Sequence, residues 1–154
     1  MNKNKIILCF ALLSLALLIT SCFEEKDPVY EGPALIEFSS VTYPSLAKQV
    51  KQSATTTDNL VVQLVSPQQQ QDLTLTYEID AASTAREDIH YKLPSKGSFV
   101  IPANTSFGNI DIEVLPGIDP VNTTETRTII FILQGNASVN VSENYKKLTY
   151  TIKI

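Results

Sequence analysis

Few side chains in this 154-residue chain can do chemistry. The first is Cys22, which closes an apolar run and follows Thr20 and Ser21. Its thiol can carry a lipid as a thioether, and a cut just before it would make that cysteine the first residue of the mature chain. A second group is acidic. Asp88, Asp119 and Glu125 fall in predicted loops, and their carboxylates could meet around calcium, which takes about six to eight oxygen ligands. A third group is aromatic. Tyr43, Phe107 and Tyr145 lie near predicted loops or strand edges, where a flat ring can stack on a ligand. His90 is the single histidine and stands beside Tyr91, where a structural role is expected.

Plainer roles account for most of these groups. Three carboxylates make a weak calcium site, so solvated loop acids are the preferred reading. The chain has no Trp, the usual sugar platform, and scattered aromatics more often pack than bind. There is no nucleophile elbow, Gly-rich phosphate loop or His/Cys metal spacing. Glu24/Glu25 and Glu87/Asp88 are neighbours in sequence, but neighbours on a strand point to opposite faces, so neither makes a glycosidase pair. No catalytic residue, metal or cofactor is expected, and the protein is read as a non-enzyme.

Charge narrows the partners. Lys3 and Lys5 precede Cys22 and no acidic residue does. Removing those two from twelve Lys and Arg leaves ten against sixteen Asp and Glu, or −6 in place of −4. Such a surface lacks the basic footprint that nucleic acid requires.

The elements around these residues fall in three parts. Met1 to Lys5 is basic, and Ile6 to Ile19 is an apolar stretch of about 14 residues, short of the roughly 20 that a membrane helix needs. That is the form of a signal segment, 1–21. The run Leu18-Ile19-Thr20-Ser21-Cys22 fits the lipobox of bacterial lipoproteins, which implies a palmitate-type lipid on Cys22. An uncleaved anchor and a Cys9–Cys22 disulfide are the alternatives. Residues 22–33 form a tether, with Glu24, Glu25 and Asp27 just after the cysteine and Pro28 and Pro33 keeping it extended. The acidic cluster resembles the export signal of Bacteroidota surface lipoproteins. A merely solvated tether is the other reading.

Residues 34–154 read as one β domain. Ala34 to Phe38 and Leu60 to Val65 are apolar strands, and Val41 to Thr57 is a polar loop with a short edge strand. Leu73, Leu75, Tyr77 and Ile79 alternate with Thr74, Thr76 and Glu78, which predicts a strand with its first set facing the core. Phe99 and Ile101 mark a short strand. Ile110, Ile112 and Val114 alternate with acids, and Ile129 to Leu133 is a continuous apolar run suited to the sandwich centre. Leu148, Tyr150, Ile152 and Ile154 alternate to the last residue, and this strand is expected to be an exposed edge. About seven strands with no helical period predict an all-β, antiparallel two-sheet immunoglobulin-like sandwich.

The centre resembles a Calx-beta module. The resemblance rests on Ser83-Thr84-Ala85-Arg86-Glu87-Asp88-Ile89-His90-Tyr91, on Gly97-Ser98-Phe99-Val100-Ile101-Pro102-Ala103-Asn104, and on Ile110 to Leu115. It extends loosely to Leu133 and covers half of the mature chain. Three departures stand out: Asp88 replaces a family glycine, His90 the family Asp before Tyr91, and Asn104 a second glycine. Imidazole is a poor calcium ligand, so the departures weaken the family's metal site. Asn tolerates positive φ, which suits a turn at Pro102-Ala103-Asn104. Tyr91 is expected to anchor its loop with the hydroxyl at the surface.

The whole also resembles small Bacteroidota lipoproteins carrying such a sandwich near polysaccharide-uptake genes. That resemblance implies an outer-membrane, cell-surface binding or accessory module, with a glycan or an uptake complex as partner and the lipid as membrane contact. The alternative is an adhesive protein that binds other proteins, by strand addition along Leu148 to Ile154 or with calcium assistance.

Overall fold

Alternating segments become strands where one side of each can be buried. The computed structural model describes residues 30–52, 55–116 and 125–153. The signal segment 1–21, Cys22, most of the tether and Asp119 lie outside the described residues. Among the described residues ten strands follow in order: β1 (Leu35–Glu37), β2 (Ala47–Lys51), β3 (Thr56–Val65), β4 (Leu73–Ile79), β5 (Tyr91–Lys92), β6 (Ser98–Ile101), β7 (Phe107–Val114), β8 (Thr126–Gln134), β9 (Asn140–Val141) and β10 (Lys147–Lys153). They make two five-stranded sheets, ordered β5-β7-β3-β1-β9 and β2-β10-β8-β4-β6. The fold is an all-β sandwich.

Seven of these strands match the alternation in the sequence. β2 is the short edge strand expected within Val41 to Thr57, and the remaining two, β5 and β9, are too short to announce themselves. The apolar run predicted at the sandwich centre is β8, the middle strand of its sheet. Only alternate members of that run face inward: Ile129, Phe131 and Leu133 are buried, while Ile130 and Ile132 are half-buried on the outer side. Facing them from the first sheet are Leu60, Val62, Leu64, Ile110, Ile112 and Val114, all buried. Each such aliphatic side chain contributes about 1.5–3 kcal/mol on leaving water. The Tyr77 ring packs on Phe131 with centroids 5.6 Å apart and fills the middle of the core.

Two strand pairs are parallel, contrary to the all-antiparallel expectation. β1 runs parallel to β9, and β2 runs parallel to β10 from Thr149↔Ala47 to Lys153↔Lys51. The N-terminal stretch therefore lies along the C-terminal stretch in both sheets. This corrects the edge expected at Leu148 to Ile154: β10 is flanked by β2 on one side and β8 on the other. The edge on that side of the sheet is β2, whose sequence AKQVK carries two lysines, a composition that discourages further pairing.

The crossing from β1 to β2 exposes a problem that three side chains solve. In β3, Leu64 donates its N–H toward β7's side, to Ser106 O at 2.8 Å, so alternate residues from Val65 to Asn59 turn toward β1. β1 pairs only as far as Glu37↔Gln63. Beyond it, the Val61 N–H donates to the Tyr43 hydroxyl at 2.8 Å, and Lys48 Nζ donates to Asn59 O at 2.8 Å. Side chains thus stand in for the strand that left. Lys48 also reaches Asp58 Oδ1 at 2.6 Å, and Tyr150 Oη donates to Asp58 Oδ2 at 2.8 Å, which ties β2 and β10 to β3 across the two sheets. Leu46 adopts φ 50 at the corner that starts β2, a conformation costing a non-glycine residue about 1–2 kcal/mol. Packing of its side chain against the core offsets that strain.

Burial alone would make the Asp58 carboxyl harder to ionise, but its hydrogen bonds from Lys48, Tyr150 and the Asn59 amide outweigh that and hold it below the ordinary value. Burial first, and the Asp58 carboxylate second, push the Tyr150 phenol far up. A carboxyl lowered in the folded state contributes stability above its ordinary value of about 3.9 and loses it as pH falls through the lower folded value. Urea midpoints should therefore drop more between pH 7 and pH 3 for the wild type than for Asp58→Asn. Equal drops would remove the carboxylate from this role. Tyr43→Phe should leave the Val61 amide without its acceptor and cost about 1–3 kcal/mol, read as a loss of several degrees in Tm.

Candidate functional site

The turn after β6 creates the most promising cleft. Pro102, Ala103, Asn104 and Thr105 reverse the chain, with the Thr105 N–H donating to Pro102 O at 3.2 Å and the Ala103 N–H to Asp72 Oδ1 at 2.8 Å. Asn104 sits at φ 59, as its substitution for a glycine implied. The turn does more than join two neighbours in one sheet. It carries the chain across, so that β6 lies at the edge of one sheet and β7 in the other.

β6 and β7 face each other edge to edge. The Tyr77 N–H donates to Gly97 O at 3.0 Å, which fixes the alternation in β6 and turns the backbone of Ser98 and Val100 away from β4. The alternation in β7 likewise turns the backbone of Phe107, Asn109 and Asp111 away from β3. The strands come closest at Gly108, where an added Cβ would stand 2.5 Å from Val100 O and 2.8 Å from Ile101 Cγ1. Only glycine permits that approach.

Around this pinch lies a cleft of about 370 Å³. Ser95, Ser98, Val100, Phe107, Asn109 and Asp111 give it its chemistry. Phe107 is 52% exposed and Val100 43%, which is unusual for side chains of their size in a protein whose other aromatics largely pack. Phe107, Asn109 and Asp111 alternate with buried Gly108, Ile110 and Ile112 and so share one outer face. The Tyr77 hydroxyl donates to Ser95 O at 2.9 Å and braces the far wall. Burial, with the negative charges of Glu87 and Asp111, raises the Tyr77 phenol's pKa. A second depression of about 470 Å³, lined by Gln68 to Leu73 and Ser138, is built from loop amides.

The other sequence candidates are dispersed. Tyr43 is a correction: it is 5% exposed, its ring edge against Phe38 and its hydroxyl bonded to Val61, so it offers no platform. Tyr145 is half-buried in the β9–β10 turn, where its carbonyl accepts the Phe38 N–H at 2.9 Å. That position lies past β1, on the opposite side of β3 from Phe107. Of the three aromatics, Phe107 alone stands at a cleft. Sequence reasoning missed Asn109, Asp111, Ser95 and Ser98. The first two were readable, because the alternation of Ile110 and Ile112 places Asn109 and Asp111 outside with Phe107. The serines were not, because only the crossing at Pro102 brings β6 to β7.

Two of the three loop acids fall among the described residues. Asp88 is exposed and Glu125 pairs with Arg127 Nη2 at 2.9 Å. Asp119 lies outside the described residues. Among the described residues no three His, Cys, Asp or Glu side chains gather as a metal site. Glu87 turns to Lys96 Nζ at 3.1 Å while Asp88 faces solvent, so the two acids do not act as a pair. His90 is buried, and its Nδ1 accepts the Arg86 N–H at 2.8 Å, which closes the loop leading to β5. Tyr91 anchors that loop to the core, at 4% exposure. Asp88 occupies φ 64, a left-handed conformation that a glycine would adopt without steric cost.

No protein-family model matches the chain, and no curated protein matches it. Solved structures do. The apo form of the Calx CBD1 domain superposes with a TM-score of 0.58 at 16% identity, covering 79% of this chain and 97% of that one. The CBD12 of CALX1.2 superposes with a TM-score of 0.54 at 16% identity, over 79% of this chain and 45% of that one. A "putative carbohydrate binding protein" from Bacteroides ovatus ATCC 8483 superposes with a TM-score of 0.55 at 13% identity, over 77% of this chain. The present chain spans 36% of that protein's length. At these identities the likeness establishes the Calx-beta-like fold.

Two of the left-handed positions, Asp88 and Asn104, give a direct test. Asn104→Gly and Asp88→Gly should each be neutral or raise Tm, whereas Asn104→Val should cost about 1–3 kcal/mol in strain. A Val variant as stable as the wild type in thermal melts would contradict the turn geometry.

Proposed function

We propose that this protein is a non-enzymatic binding module, tethered to the outer membrane by lipid on Cys22, that captures glycans for a surface uptake complex. The observation that carries the reading is the β6–β7 cleft, where exposed Phe107 lies beside Asn109 and Asp111. A half-exposed ring beside hydrogen-bonding side chains suits a ligand with one apolar and several polar faces, which is the character of a sugar. The fold likeness to a carbohydrate-binding candidate from Bacteroides ovatus agrees with this, as analogy. The lipid supplies location: at about 0.8 kcal/mol per buried CH₂, acylation with more than one chain holds a protein stably at a bilayer.

The adhesive reading by strand addition at Leu148 to Ile154 loses its premise, since β2 already occupies that edge.

Membranes from cells expressing the full chain should retain the protein, and Cys22→Ala should shift it to the soluble fraction. Retention of the variant in membranes would sink the tether. Cells displaying the wild type should adhere to beads of the polysaccharide the host grows on, and Phe107→Ala should reduce that adhesion. Equal adhesion by both would sink the cleft.

A further inference from the structure

We infer that the β6–β7 cleft selects an uncharged oligosaccharide laid along β7, with one ring on Phe107 and hydroxyls on Asn109 and Asp111. The inference deepens the glycan-capture reading and rests on it.

Length comes from the strand. Phe107, Asn109 and Asp111 share one face over four residue steps, about 14 Å at about 3.4 Å per residue. A single sugar ring cannot reach from the aromatic to the carboxylate at the far end, whereas an extended chain of linked sugars can.

Charge comes from the lining. Among the described residues that line the cleft, Asp111 is the one ionisable side chain. The nearest basic residue in sequence, Lys96 after Ser95, is drawn to Glu87 at 3.1 Å and away from service as an anion partner. Behind Ser95, burial first and the charges of Glu87 and Asp111 after it raise the pKa of the Tyr77 phenol. A sulfate or uronate entering here would lose water and meet a like charge, with no guanidinium or ammonium among the lining residues to replace it. A sugar hydroxyl meets the opposite situation, because a carboxylate accepts stronger hydrogen bonds than a neutral oxygen does. Asn109 adds a donor and an acceptor beside it. The same wall that repels an acidic polysaccharide therefore holds a neutral one.

The test is calorimetry and array binding with the full chain in detergent. The probes are neutral hexasaccharides of glucose, xylose and mannose, the corresponding free sugars, and heparin, chondroitin sulfate and polygalacturonate fragments. At least one neutral hexasaccharide should bind, with its free sugar bound at least about tenfold more weakly and the anionic probes unbound. Phe107→Ala should weaken that binding by about tenfold or more, and Asp111→Asn should weaken it less. Both residues are exposed, and thermal melts of each variant should match the wild type. Binding of the anionic probes in place of the neutral ones would overturn this selectivity while leaving glycan capture standing. Neutral binding indifferent to both substitutions would overturn the placement in the cleft. Failure of every glycan to bind would overturn the capture reading with it.

Discussion

The open edge of β3 is the constraint on which the architecture turns. β1 pairs with β3 for three residues and then leaves for the other sheet. The half-buried Val61 N–H is left in need of a partner, because a buried amide without one costs about 1–3 kcal/mol, and the exposed Asn59 carbonyl is left free to accept. Tyr43 and Lys48 supply the partners from the segment that has just crossed over. Asp58 then holds Lys48 and Tyr150 together, so β2, β3 and β10 are fastened across the sandwich. The same crossing lays the N-terminal stretch parallel to β10. One polar lock thereby explains the parallel pair, the buried Tyr43 and the covered C-terminal strand.

The opposite side of the sandwich is built by the opposite means. There β6 and β7 approach through a missing side chain, Gly108, rather than through a polar clasp. The pinch brings two strand edges together without zipping them into one sheet. A cleft remains, flanked by side chains that the core does not need: Phe107, Asn109 and Asp111 point outward because Ile110 and Ile112 point inward. The polar lock and the cleft are thus separated on the two sides of the first sheet.

The departures from the Calx-beta pattern have a conformational logic. Asn104 and Asp88 both stand where the backbone turns left-handed, and both are among the residue types that tolerate it. His90 fills a buried position in the same loop and accepts an amide proton there. These residues keep the loops of the fold while changing the chemistry of their side chains.

The all-β class, seven of the ten strands, the short edge strand β2 and the inward-facing set of β4 were legible in the sequence, since alternation of apolar residues is a local signal that burial on one side enforces. So was the positive φ at Asn104, because it depends on one residue's own sterics. Phe107 was legible as a candidate, and Asn109 and Asp111 could have been read from the same alternation. Pairing was not legible. Whether Tyr43 is a platform or a core residue, whether β10 is an edge, and whether Ser95 and Ser98 meet Asp111 depend on which distant strands lie side by side. That is decided by satisfying backbone hydrogen bonds across both sheets at once, a condition that no short stretch of this chain contains.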